Sequence, residues 1–262
     1  MPEELKRKVP YISASQINQF LFCWLSYKYI YLGQVTRMPW TLYTAYWSAI
    51  HWALAHNYRK KITSRVDCPY PEVEKEFDNH FDKEVSAIWF YDVKIATFLK
   101  LQGREMLVQY MKKVAPKYMP MLVEHEFKIQ LTSFPVIIYG LIDLVTEDWI
   151  IIDHKTAGAS TEAKWSQYQV DNDHQFTMYS LAYRKLFWKQ ENGVQVDVLK
   201  RLKNWPEFAS VFSSRSDLQI IQLCQLMERM EESIKNDFFF PNFNSCKDCQ
   251  FNWNGCNKLI RQ

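Results

Sequence analysis

Two short apolar runs, each containing one carboxylate, constrain this chain more than any other feature. The run GLIDLV at 140–145 and the run IIIDHKT at 150–156 are separated only by the four residues TEDW. Branched aliphatic residues dominate both runs, which favours strands, and the polar connection is short enough for a tight turn. The pair therefore predicts a β-hairpin.

The register of this hairpin decides where its charges lie. A three-residue loop at 147–149 would place Asp143 opposite Asp153, and Lys155 would share their face because side chains alternate along a strand. Directly opposed residues lie about 5 Å apart at Cβ, and two carboxylates this close repel each other unless a cation lies between them. Oxygen ligands of this kind suit Mg²⁺ or Mn²⁺.

A solvated hairpin end without function is the alternative interpretation. The apolar run at 150–152 argues against it, because it predicts a strand that is buried on both faces. Charges at the end of such a strand are costly to bury unless they have partners. The carboxylates and the lysine are therefore candidate functional residues.

The order Gly-x-x-Asp, apolar strand, Asp-x-Lys-Thr resembles the PD-(D/E)XK nuclease superfamily, in particular its RecB-like exonuclease branch. The residues that carry this resemblance are Gly140, Asp143, Asp153, Lys155 and Thr156. The resemblance implies an α/β fold in which helices flank a central mixed β-sheet, the restriction-endonuclease-like core. It also implies metal-dependent cleavage of DNA.

Two predicted helices carry further candidates. Residues 41–61 predict a helix containing His51, and the residues alone leave both a core histidine and a metal ligand open. The resemblance implies a ligand. Residues 171–190 predict a later helix on which Gln175 and Tyr179, four positions apart, share a face. The resemblance implies that these two side chains position the backbone of the bound strand.

The resemblance also implies a division of roles among these residues. The metal ligands would be Asp143, Asp153, His51 and the backbone carbonyl of His154. Lys155 would orient or deprotonate the attacking water, or stabilise the transition state electrostatically.

Two more distant residues complete the predicted site. Glu126, preferred over Glu124 on the strand predicted at 123–131, would support the metal indirectly or through a water, with a simple surface glutamate left open. Lys200, in a local basic cluster, would contact DNA phosphates.

The C-terminal cysteines form a strong metal-binding pattern. Residues 246–249 read CKDC, and Cys256 follows seven residues later. A fourth ligand is needed, and Cys23 is the choice by resemblance, with Cys68 and Cys224 left open. RecB-like nucleases of the AddB and CRISPR-associated kind hold a [4Fe–4S] cluster between one early and three late cysteines. Spacing alone leaves a Cys₄ zinc site open.

The predicted organisation is a single nuclease domain over residues 1–262, with a helical insertion at 62–120. A cysteine segment at 237–262 would pair with Cys23. The predicted cluster ligands are Cys23, Cys246, Cys249 and Cys256.

Composition limits the remaining possibilities. The net charge is only +3, so contact with nucleic acid must come from local basic clusters. The N-terminus is charged and lacks an apolar signal segment, and no run is long enough to span a bilayer. We therefore expect a cytoplasmic protein, in which six cysteines indicate metal binding rather than disulfides.

The joint order of these motifs predicts a metal-dependent DNA nuclease, expected to be an exonuclease on single-stranded DNA or DNA ends. Its partners would be DNA and a protein complex of recombination, repair, phage replication or CRISPR adaptation. The alternative is a non-catalytic DNA-binding or scaffold module with a Cys₄ zinc site, which would not need His51, Asp143 and Lys155 together. A hydrolase of a non-nucleic substrate has no positive signal.

Overall fold

A computed structural model describes residues 10–33, 41–132, 134–158, 165–201, 206–251 and 256. The strands are β1 Tyr11–Ile12, β2 Pro120–Leu131, β3 Phe134–Thr146, β4 Ile150–Gly158, β5 Gly193–Arg201 and β6 Glu207–Ser213. The α-helices are α1 Ala14–Phe22, α2 Trp24–Tyr27, α3 Leu42–Ser64, α4 Tyr70–Ser86, α5 Val93–Lys113, α6 Gln167–Asn172, α7 His174–Phe187 and α8 Asp217–Lys235. A π-helical segment spans Lys28–Leu32, and 3₁₀ turns span Ala115–Lys117 and Phe243–Asp248.

The strands form one mixed, six-stranded sheet. Its order is β1-β3-β4-β5-β6, and β2 pairs with β3. The pairs β1–β3 and β4–β5 are parallel, whereas β3–β4 and β5–β6 are antiparallel. Helices flank this sheet, so the predicted fold class is confirmed.

The hairpin of β3 and β4 has the predicted register. Leu144 pairs with Ile152 and Val145 with Ile151, which sets Asp143 toward Asp153. The loop at 147–149 ends on Trp149 in the left-handed region, with a φ of 64°. Three-residue hairpin loops commonly end on such a residue. The prediction from loop length and alternation is confirmed.

By internal contacts the chain divides into two compact units. The central unit contains Trp40–Glu126 and Leu141–Arg215. In its core, apolar side chains of α3, α4 and α5 pack against Leu144, Ile152 and Leu199 of the sheet. The packing stabilises α3, on which the predicted site histidine lies.

The terminal unit contains Met1–Pro39, Phe127–Gly140 and Ser216–Gln262. Gly140 is required there by a close approach, because a Cβ atom at this position would lie 2.4 Å from the ring of Phe127. Within the described ranges, no helix combines the length and apolarity needed to cross a membrane.

Two predicted helices are broken in the structure. The apolar periodicity of residues 17–31 predicts one continuous helix, but the structure interrupts it at Cys23, whose backbone is extended between α1 and α2. The one expected at 171–190 is interrupted at Asp173, whose carboxylate caps α7 by accepting the Gln175 N–H at 2.7 Å. Both predictions of a continuous helix were wrong, because capping and long-range contacts outweigh apolar periodicity at these positions.

Candidate active site

Two nitrogen atoms lie close to the carboxylate of Asp143, next to the residues of β3 that pair with β4. Its Oδ2 accepts the backbone N–H of His154 at 2.8 Å and lies 3.3 Å from Nδ1 of His51 on α3. Burial alone would raise the pKa of Asp143, but the two histidines hold that pKa well below its usual range. Burial likewise opposes protonation of His51, yet Asp143 raises the His51 pKa. Each group of the pair therefore stabilises the charged form of the other.

The side chain of His154 is buried behind this pair. Its Nδ1 lies 3.5 Å from Oδ2 of Asp143, and its Nε2 lies 2.9 Å from the hydroxyl of Tyr110 on α5. That hydroxyl lies 2.9 Å from the hydroxyl of Tyr58 on α3, and the Tyr58 ring stacks on the imidazole. Burial raises the pKa of both phenols well above its usual value, so both remain protonated. The helical core thus holds the His154 ring against Asp143.

Asp153 and Lys155 form a second charged pair on β4. Lys155 Nζ lies 2.8 Å from Oδ2 of Asp153. Gln175 on α7 joins the two residues, since its Oε1 accepts from Lys155 Nζ at 2.9 Å and its Nε2 donates to Asp153 Oδ1 at 3.1 Å. The Tyr179 hydroxyl donates to the same Oδ1 at 3.3 Å. Gln175 and Tyr179 therefore contact the charged pair itself, where the resemblance implied contacts to bound DNA.

The charges of this second pair depend on each other. Burial raises the pKa of Asp153, Lys155 opposes that rise, and Asp143 adds to it. Burial lowers the pKa of Lys155, but Asp153 and Asp143 outweigh burial and raise it. The two carboxylates thus stabilise the charged form of Lys155.

Glu124 is the glutamate that the sequence pattern favoured less than Glu126. The ligand atoms of Glu124, His51 and Asp143 all lie within 4.8 Å of one another. Glu124 has a left-handed backbone with a φ of 47°, a departure from regular strand geometry, and its side chain is half-buried. Glu126, the preferred candidate, is exposed. The geometry therefore favours Glu124, and no regular strand pattern could have separated the two.

These residues fit a divalent cation. Carboxylate oxygens of Glu124 and Asp143 and an imidazole nitrogen of His51 lie within 4.8 Å of one another. The carboxylate of Asp153 is also buried, with Lys155 Nζ 2.8 Å from its Oδ2. Burial, reinforced by Asp143, raises the pKa of Glu124 to about 7. Buried carboxylates with a raised pKa lack compensating positive charge, and a cation would supply it.

Two cysteines of the terminal unit, Cys23 and Cys246, both contact the backbone of Asn242. Sγ of Cys23 accepts the N–H of Asn242 at 3.3 Å, and Sγ of Cys246 lies 3.8 Å from the Asn242 carbonyl oxygen. Burial raises the pKa of Cys256, and Cys23, Cys246 and Cys249 raise it further. None of the chain's six cysteines, all of them described, forms a disulfide.

The spacing of these sulfur atoms bears on the kind of group they could hold. Among the described residues, no three cysteine sulfurs lie within 4.8 Å of one another. A tetrahedral zinc with bonds of 2.3 Å would draw its sulfurs to roughly 3.8 Å apart. A cubane cluster spreads its thiolates over four irons and tolerates a wider arrangement. Spacing alone leaves both groups open.

The other candidates are Lys200, Cys68 and Cys224. Lys200 is half-buried at the end of β5, in register with Ala157 of β4. Cys68 belongs to the central unit and Cys224 to α8.

The family follows from a comparison with known proteins. The model of the PD-(D/E)XK nuclease superfamily matches residues 11–254. This chain belongs to the PD-(D/E)XK nuclease superfamily. The match extends over both compact units, and nucleases of this superfamily use divalent metals, in agreement with the acidic cluster of the central unit.

Solved structures agree with this fold. The crystal structure of a candidate exonuclease from Eubacterium rectale has a TM-score of 0.61 and 15% identity, and the match covers 93% of this chain and 88% of that one. The crystal structure of SSO0001 is 15% identical, and the match covers 77% of this chain and 82% of that chain. Its TM-score of 0.33 is too low to indicate a shared fold. No curated protein sequence matches this PD-(D/E)XK chain.

Proposed function

We propose that this protein is a Mg²⁺- or Mn²⁺-dependent deoxyribonuclease of the RecB-like branch, an exonuclease acting on single-stranded DNA or DNA ends. One observation carries the proposal: Asp143 with His51, and Asp153 with Lys155, form adjoining charged pairs on one hairpin and the helix beside it. The description of the similar Eubacterium rectale protein as a candidate exonuclease agrees with this proposal.

The residues that would hold the cation are Asp143, Glu124, His51 and Asp153, together with the His154 carbonyl. The N–H and C=O groups of one strand residue point to the same side. Because the His154 N–H reaches Asp143, the His154 carbonyl faces the same edge of β4. When bound, a divalent cation lowers the pKa of a coordinated water and offsets charge on the scissile phosphate.

Lys155 supplies a fixed positive charge for the phosphate. Its raised pKa keeps it protonated, so it stabilises the charge that builds on the phosphate in the transition state and orients the attacking water. Gln175 fixes Lys155 and Asp153 relative to each other. Tyr179 supports Asp153 from the same face of α7.

The terminal unit would carry a [4Fe–4S] cluster on Cys23, Cys246, Cys249 and Cys256. The influence of Cys23, Cys246 and Cys249 on the pKa of Cys256 supports one shared site for the four sulfurs. The alternative is a Cys₄ zinc site. A cavity of about 460 Å³, lined by Cys249 and by the Cys23 neighbours Phe22 and Ser26, adjoins this segment. We assign the cluster a structural role.

The proposal extends to the domain organisation, the location and the partners of the enzyme. Both units would form one nuclease domain, since the family match extends over both. We expect a cytoplasmic enzyme that works with a protein complex in recombination, repair, phage replication or CRISPR adaptation. Lys200 would contact phosphates of the bound strand. A non-catalytic scaffold would not require the convergence of Asp143, Asp153 and Lys155.

A product-length assay tests the activity. Wild-type protein and Asp153→Asn are incubated with end-labelled linear, end-blocked and circular DNA, single- and double-stranded, with Mg²⁺, Mn²⁺ or a chelator. We expect stepwise shortening of linear DNA, dependence on metal, resistance of circles and no cleavage by the variant. Equal cleavage by the variant, or cleavage in chelator, would refute the assignment. Cleavage of circles would instead indicate an endonuclease.

A further inference from the structure

We propose a second metal site, for a zinc ion, formed by His56, Cys68 and Glu72 in the central unit. The residues come from α3, the connection after it and the first turn of α4. Nitrogen, sulfur and oxygen ligand atoms of the three lie within 4.8 Å of one another. A histidine, a thiolate and a carboxylate are the ligand types that zinc takes in proteins. The site is independent of the proposed nuclease centre.

The spacing of the ligand atoms is close to that of a bound ion. Nε2 of His56 lies 2.6 Å from Oε1 of Glu72. A tetrahedral zinc with bonds of 2.0–2.3 Å separates its ligand atoms by about 3.3–3.7 Å. The His56–Glu72 pair would open by about 1 Å, and Cys68 would move by a similar distance. Side-chain rotation alone can supply shifts of this size.

The connection that carries Cys68 is held in place by buried side chains. Asn57 is fully buried; its side chain donates to Asp67 at 2.8 Å and accepts the Cys68 backbone N–H at 2.8 Å. Lys61 is also buried, and it donates to Asp67 at 2.9 Å and to the Ala115 carbonyl at 2.8 Å. The cysteine is therefore positioned before any ion binds, which lowers the ordering cost of binding.

Lys60 is a cation that would compete with a metal ion for Glu72. Its ammonium forms an ion pair with Glu72, and 54% of its side chain is exposed. An exposed ion pair contributes little to stability, so Lys60 can turn toward water when a cation takes its place. Because the site lies at the surface, its fourth position is open to water. A bound ion would fasten α3 to the start of α4 around the intervening connection.

Residue-resolved thiol protection tests the proposal on the full-length protein. Folded protein is alkylated with and without zinc chloride, and mass spectrometry reads the rate at each cysteine separately. We expect zinc to slow alkylation of Cys68 at least about tenfold, as thiolate coordination requires. Cys224 serves as the internal control, and its rate should not change.

Three variants sharpen the result. In His56→Gln and Glu72→Gln the protection of Cys68 should be lost, with unchanged circular dichroism. Lys60→Met removes the competing cation, so protection should appear at lower zinc concentration than in the wild type. Alkylation of Cys68 that is insensitive to zinc in the wild type, or protection that persists in both ligand variants, would overturn the proposal. Neither outcome bears on DNA cleavage.

Discussion

The carboxylate site of the central unit and the cysteine segment of the terminal unit are organised differently. At the first, two of the proposed carboxylate ligands have partners within the protein: His51 and His154 contact Asp143, and Gln175 and Tyr179 contact Asp153. At the second, the contacts of Cys23 and Cys246 with the Asn242 backbone are weak sulfur contacts. We therefore expect the protein alone to hold the geometry of the first site, and the second to depend on the group proposed to bind there.

This difference predicts different consequences of metal removal. A site held by buried hydrogen bonds keeps its geometry without the ion, so a chelator abolishes activity but not folding. A site made of thiols on short segments obtains its stability from the bound group, so the loss of that group unfolds its surroundings. The predictions below test this comparison, from the largest expected effect to the smallest.

The largest effect on cleavage is expected for Lys155→Ala. Removing a preorganised group that stabilises transition-state charge lowers rates by about 10²–10³-fold. Single-turnover cleavage at saturating Mn²⁺ measures the loss, and circular dichroism checks the fold. Lys185→Ala, at an exposed position of α7, is the matched control and should cleave normally. A Lys155→Ala protein that cleaves at the control rate would remove the catalytic assignment.

Next comes Cys246→Ser, which should abolish the visible absorption of an iron–sulfur cluster in anaerobically purified protein. If the estimate for disulfide loops transfers, the long loop from Cys23 contributes roughly 4–5 kcal/mol to the free energy of unfolding. Denaturant unfolding measures this loss. Cys224→Ser, on α8, should keep both colour and stability. A colourless wild type that contains stoichiometric zinc would contradict the cluster.

Glu124→Gln and Glu126→Gln form a matched pair two residues apart. Glu124 lies with His51 and Asp143, whereas Glu126 is exposed. We expect Glu124→Gln to weaken Mn²⁺ binding by about 10–100-fold, the range seen when groups that support a metal are removed. Calorimetric titration with Mn²⁺ measures it. The prediction fails if both variants bind Mn²⁺ like the wild type, or if only Glu126→Gln is weakened.

The smallest effect is expected for Tyr110→Phe. The change removes the hydroxyl beside His154 and should cost about 1–2 kcal/mol in the free energy of unfolding. Tyr70→Phe is the matched control for Tyr110→Phe. The Tyr70 hydroxyl donates to the Arg104 carbonyl at 3.0 Å and is not part of the acidic cluster. Only Tyr110→Phe should also weaken Mn²⁺ binding. Equal Mn²⁺ affinity in both variants would show that the tyrosine does not position Asp143.

Short-range patterns made much of the candidate site predictable. The hairpin register followed from loop length and alternation, which brought Asp143 toward Asp153 and placed Lys155 beside it. Helical spacing put Gln175 and Tyr179 on one face of α7. In each case the relevant neighbours are only a few residues apart, so backbone geometry alone relates their side chains.

Contacts between distant segments could not be predicted in this way. Three features depend on packing between segments far apart in the chain. They are the left-handed backbone at Glu124, the hydrogen bond between Tyr110 and His154 and the break at Cys23. A periodic pattern says which face of an element is apolar, but not which side chain of another element will meet it. The sequence by itself therefore determined the strand pair and its charges, and the tertiary structure decided which residues surround them.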